Sequence, residues 1–118
     1  MHSDKLLDHF RNPRNVGVLE PPAQVVDVSN PACGDMLRLS VRWDDGRVAE
    51  ARYQTRGCTA SIATGSALTE WMMGKNGAEL KAVTAAAIEA CVGGLQAESK
   101  HAAVLAVDAV KALLAQRK

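Results

Sequence analysis

The chain is nearly devoid of aromatic side chains: two tryptophans, one tyrosine and one phenylalanine make up 3% of it. Alanine and valine are abundant instead, and small side chains bury little area each, so helices must pack closely to make a core. Cysteines are few and odd in number, three in all. That argues against a disulfide framework and makes thiol or metal chemistry the first question. An excess of one charge sign is missing too. Fourteen basic against thirteen acidic residues leave a net +1, which gives no electrostatic reason to expect nucleic acid as a partner. No apolar run approaches the ~20 residues of a membrane helix. The opening MHSDKLLDHF is charged every few residues and does not read as a secretory signal. These absences lead to the expectation of one soluble, cytoplasmic domain over residues 1–118, long enough to bury roughly two thirds of its unfolded-chain surface.

What is present has clear periodicity. Residues 3–10 read as a short helix with Ser3 as N-cap and Leu6, Leu7 and Phe10 on one side. Residues 11–24 hold all but one of the four prolines and read as an irregular arm, and Val25–Val28 as an edge strand. From Leu37 the pattern alternates, with Leu37, Leu39, Val41 and Trp43 on one face and Arg38, Ser40 and Arg42 on the other. Asp44-Asp45-Gly46 supplies a tight turn, and Arg47–Thr55 returns with Ala49, Ala51 and Tyr53 inward. Thr59–Met73 reads as a helix that Gly74 ends, its stripe of Ala60, Ala63, Ala67 and Trp71 set against the sheet. A second helix covers 77–91, and Ser99 caps a long final one with Ala103, Ala106, Val107, Val110, Leu113 and Leu114 on its apolar face. Strands followed by a run of helices indicate an α+β fold.

The hairpin carries the most informative inference. With Asp45 and Gly46 at its turn, Asp44 faces Arg47, and counting outward sets Cys33 opposite Cys58 at the open end. Asp35 and Arg56 neighbour them. Cys33 sits in Asn30-Pro31-Ala32-Cys33-Gly34-Asp35, where proline fixes the approach and glycine frees the backbone after the thiol. Cys58 follows Gly57 and opens a helix, where free amides and the helix dipole favour a thiolate suited to metal ligation or nucleophilic attack. Thr59 and Ser61 can add hydroxyl hydrogen bonds to the sulfur or to the helix cap. Other chemistry-bearing residues have plainer readings: Cys91 as a small buried residue on an apolar helix face, His2 and His9 as surface residues. His101, at a helix start, reads on spacing alone as solvent-facing. No GxSxG, no HExxH and no phosphate-cradling glycine loop is present, so ordinary hydrolase or nucleotide chemistry has no support.

Several stretches carry a resemblance. Asp8-His9-Phe10-Arg11-Asn12-Pro13-Arg14-Asn15-Val16-Gly17, the Cys33 and Cys58 segments, Thr69-Glu70-Trp71 and Lys100-His101-Ala102-Ala103-Val104-Leu105-Ala106 closely resemble the NifU N-terminal/IscU-like iron–sulfur cluster scaffold family. The similarity is collinear over nearly the whole chain. It implies a compact α+β sandwich with a three-stranded antiparallel sheet. It also implies a non-enzymatic scaffold that takes sulfur from a cysteine desulfurase, assembles a labile [2Fe–2S] cluster and passes it to acceptor apoproteins. The ligands it implies are Cys33, Asp35, Cys58 and His101, a set that can equally hold iron or zinc. A homodimer sharing Cys33 and Cys58 from two chains is the alternative route to four ligands.

The departures are as informative. The family's third cysteine follows that histidine directly, and here the position is Ala102. Leu95-Gln96-Ala97-Glu98-Ser99 stands where IscU-type members carry Leu-Pro-Pro-Val-Lys, so the resemblance does not extend to dedicated Hsp70-type chaperone delivery. A degenerate member, regulatory or sulfur-transferring through Cys58 without a stable cluster, is the competing expectation.

Overall fold

The computed structural model describes residues 2–30 and 34–116. Its elements run α1 (Asp4–Arg11), β1 (Gln24–Asn30), β2 (Asp35–Asp44), β3 (Arg47–Arg56), α2 (Thr59–Met72), α3 (Gly77–Lys81), α4 (Ala85–Cys91), a 3-10 turn (Ala97–Ser99) and α5 (His101–Gln116). The strands form one antiparallel sheet in the order β1-β2-β3. Among the described residues no helix is long and apolar enough to cross a membrane. The α+β expectation, with a three-stranded sheet and a long last helix, is met.

The β2–β3 turn forms as its residues require. Asp45 and Gly46 have φ of 53° and 77°, the paired left-handed conformations of a hairpin turn matched to strand twist. Asp44 pairs with Arg47 and Trp43 with Val48, but Arg42 then pairs with Glu50. Ala49 is therefore an extra residue, a bulge, and it corrects the simple alternation. Val48, not Ala49, is buried (2% exposed), and Ala51 and Tyr53 regain the inward face beyond the bulge.

Helices cover the inward face of the sheet. α5 lies against β1 and β2, and α2 against β3. Leu39, Val41, Tyr53, Leu68, Met72, Val110 and Leu113 belong to the main core between them. Ala60, Ala63 and Ala67 do not face the sheet as expected. They join Leu6, Val92 and Ala102 in a second apolar cluster against α1 and the neighbouring helices. The sheet side of α2 is where Gly65 meets Tyr53: a Cβ there would lie 2.5 Å from two ring carbons. The Tyr53 hydroxyl donates to the Ile62 carbonyl at 2.8 Å, tying β3 to the first turns of α2.

Four further expectations need correction. The helix expected over 77–91 is two, because Thr84 receives the Ala87 amide at 3.1 Å and starts α4 afresh. Ser99 lies in the 3-10 turn and not at the cap of α5. Ser40, expected on the solvated face, is 1% exposed. The arm explains this: it pairs with the edge of β3 through Asn15 and Gly17, then crosses the outer face where the Leu19 amide donates to Ser40 Oγ at 3.0 Å. On α1, Ser3 caps as expected, accepting from the Leu6 amide, and Leu6 is buried. Phe10, however, is exposed and His9 takes the inward position, 8% exposed.

His9 is inward because α2 offers it a polar partner. Ser66 Oγ accepts from the Arg14 amide at 2.9 Å and donates to His9 Nδ1 at 2.8 Å. Arg14 Nη1, which can only donate, lies 3.1 Å from the same nitrogen, so the ring proton sits on Nε2, facing Glu70 at 3.6 Å. Burial, helped by the Arg14 charge, holds this imidazole below its ordinary pKa.

Candidate metal centre

The open end of the hairpin, the first turn of α2 and the first residue of α5 converge on three side chains. Asp35 opens β2 and is 6% exposed. Cys58 is the exposed N-cap residue of α2, in extended conformation, with its carbonyl accepting from the Ile62 amide at 3.1 Å. His101 begins α5 and is half-buried. One ligand atom from each, a carboxylate oxygen, a sulfur and an imidazole nitrogen, lies within 4.8 Å of the others.

The contacts among them are specific. Asp35 Oδ2 accepts from Ser61 Oγ at 2.5 Å and lies 2.9 Å from His101 Nε2. Cys58 Sγ lies 3.9 Å from the same His101 nitrogen and 3.6 Å from Ser61 Oγ. Gly57 allows the carboxylate in, since a Cβ there would stand 2.9 Å from both Asp35 Cγ and Ser61 Cβ. Donors around a tetrahedral ion with bonds of about 2.0–2.3 Å sit roughly 3.3–3.8 Å apart, a spacing comparable with the separations of up to 4.8 Å found here. One soft sulfur, one imidazole and one carboxylate form a set suited to zinc or iron.

The bulge shifts the expected facing pair. Continued past its last pair, Met36–Arg56, the register sets Cys58 level with Gly34 and Asp35 level with Gly57. Cys33 lies outside the described residues. Of the other expected ligands, Asp35, Cys58 and His101 are brought together, and His101 faces the site instead of solvent. Ser61, foreseen as a partner of the sulfur, binds the carboxylate as well. The part played by Gly57 was missed; its signal is the glycine directly before Cys58, where only a missing side chain leaves room. Cys91 is half-buried beside the second apolar cluster, where burial pushes its thiol pKa up. Ala102, next to His101, is 3% exposed and belongs to that same apolar cluster.

The family model described as the NifU-like N terminal domain matches residues 1–117. The chain belongs to this family. Among curated relatives of this NifU-like domain, the iron–sulfur cluster assembly scaffold protein IscU 1 of Archaeoglobus fulgidus is 42% identical over 111 residues, covering 94% of this chain and 72% of the relative. The scaffold protein IscU of Escherichia coli K12 is 38% identical over 121 residues, covering 99% of this chain and 94% of the relative. A solved NifU-like N-terminal structure from Brucella abortus superposes with a TM-score of 0.77 at 19% identity, over 97% of this chain and 92% of that one. The SufU-type structure from Fervidobacterium islandicum gives 0.75 at 17% identity, with 96% of each chain covered. At these identities the two structures speak to the fold, and they agree with the sheet and helix order found here.

Proposed function

We propose that this NifU-like domain is an iron–sulfur cluster assembly scaffold, a carrier without catalytic turnover. In this reading the single domain spanning 1–118 receives sulfur from a cysteine desulfurase. It holds a labile [2Fe–2S] cluster, or its iron or zinc precursor, as cargo and yields it to acceptor apoproteins. The observation that carries the reading is the convergence of Asp35, Cys58 and His101 within 4.8 Å, with Cys33 close in sequence as the fourth donor. Each donor has a role its chemistry suits. The exposed Cys58 sulfur anchors iron where a sulfur donor and an acceptor can both approach. The Asp35 carboxylate is a harder, weaker ligand than thiolate for a cluster iron, which keeps the cargo transferable. In this reading His101 supplies the nitrogen from the first residue of α5.

Anaerobic reconstitution with iron, sulfide and a desulfurase, followed by iron, sulfide and zinc analysis and visible absorption, tests this. Stoichiometric iron and sulfide with charge-transfer bands, lost in Cys58→Ala and Cys33→Ala, is the expected result. Folded protein that takes up neither iron nor sulfide refutes it. Sedimentation of the loaded protein tells a one-chain site from a cluster shared between two copies. One observation favours the second reading: Ala102 places a buried methyl where the family has a sulfur. A regulatory or sulfur-transferring member would keep desulfurase binding, or carry a persulfide on Cys58, without bound iron. Restoring the thiol with Ala102→Cys raises cluster yield if ligand shortage limits assembly.

A further inference from the structure

We propose that Ser61 is a positioning residue that holds the Asp35 carboxylate in place for metal. The proposal rests on reading Asp35, Cys58 and His101 as the donors. Ser61 lies three residues after Cys58 on the first turn of α2 and is 5% exposed. Its hydroxyl has one proton, and a carboxylate can only accept, so that proton is committed to Asp35 Oδ2 at 2.5 Å. The second bond to Oδ2 comes from His101 Nε2. This ring nitrogen is also the one 3.9 Å from Cys58 Sγ, and when it binds an ion it can no longer hydrogen-bond to the carboxylate. Ser61 is then the remaining hydrogen-bond partner among the described residues. Both existing bonds fall on Oδ2, and among the described residues none is made to Oδ1, which is left free for the ion. Gly57 completes the arrangement by keeping the space beside Oδ1 open: a Cβ there would lie 3.0 Å from that oxygen.

Such outer hydrogen bonds typically change metal affinity by about 10–100-fold. The test is a titration of the metal-free full chain with Co²⁺ alone, reading the visible d–d bands and the dissociation constant. Ser61→Ala should bind about tenfold or more weakly, with altered d–d bands, in a metal-free protein whose far-UV circular dichroism is unchanged. Ser61→Thr, which keeps the hydroxyl, should restore both. In an Asp35→Ala background, adding Ser61→Ala should change nothing further, because the effect passes through the carboxylate. Wild-type affinity and bands in Ser61→Ala, or an equal loss in the Asp35→Ala background, would overturn the proposal while leaving the donor set intact. Failure of the unaltered protein to bind Co²⁺ overturns the donor set itself, and this proposal with it.

Discussion

Gly65→Ala tests the packing on which the site rests. Alanine is the better helix former, by about 1 kcal/mol in an exposed helix interior, so a propensity argument alone expects stabilisation. The structure demands the opposite. A Cβ at position 65 would lie 2.5 Å from Tyr53 Cδ2 and Cε2 and 3.3 Å from Cγ, whereas carbons pack comfortably at about 3.5–4.0 Å. Either the ring or the helix has to move by about 1 Å, and the ring is 1% exposed with its hydroxyl held by the Ile62 carbonyl. Overpacking of this kind costs about 1–3 kcal/mol, and weakening the hydroxyl bond adds about 1 kcal/mol. After the propensity gain, a net loss of about 2 kcal/mol remains. Urea unfolding should show it as a lower midpoint with an unchanged m-value, and thermal unfolding as a fall of roughly 8 °C. In a Tyr53→Leu background the same substitution should cost nothing or stabilise. A raised midpoint in the otherwise unaltered protein would refute the reasoning.

Three further outcomes are expected. Gly57→Ala should weaken Co²⁺ or Zn²⁺ binding by about tenfold or more, because its Cβ would displace the Asp35 carboxylate; isothermal titration reads this, and an unchanged affinity counts against the cradle. His9 has a folded-state pKa below its ordinary 6.5, so the unfolded chain binds the extra proton. Its contribution to stability is complete above pH 6.5 and is lost as pH falls below it. Urea midpoints should therefore decline from about pH 6.5 toward pH 5, less so in His9→Gln; equal slopes would contradict the buried neutral ring. Iodoacetamide should label exposed Cys58 well before half-buried Cys91, whose thiol burial pushes up. Peptide mass spectrometry checks the order.

How much of this was legible beforehand depended on whether a residue's fate is local. The hairpin, the Asp-Gly turn, the Ser3 cap and the apolar face of α5 follow from periodicity and turn chemistry within a few residues, and all stand in the structure. His9 could not be read that way. What draws it inward is Ser66, on another helix, and nothing near His9 announces that partner. Ser40 is buried for a similar reason, since an arm twenty residues earlier in the chain crosses over it. At the site, glycine and helix signals around Cys58 pointed to a reactive position. His101 read by spacing alone as a surface histidine, and only the family resemblance pointed it toward the metal. Ser61 was visible as a hydroxyl near the sulfur, but its bond to Asp35 arises only once β2 and α2 meet.

A hairpin whose strands differ by one residue carries that difference from the extra residue to its open end. Near the turn the strands are in step; beyond Ala49 every pair, from Arg42–Glu50 out to Met36–Arg56, is displaced by one. Substitutions on either strand leave this phase untouched, whereas deleting a single residue from β3 would shift Cys58 relative to Asp35 and reverse which side chains point at the helices. The alignment of thiol and carboxylate is thus stored as a count of residues, not as a side chain. Position 49 can vary in identity, but it cannot be empty. Over time such a hairpin should accept many replacements along its length and almost no insertions or deletions.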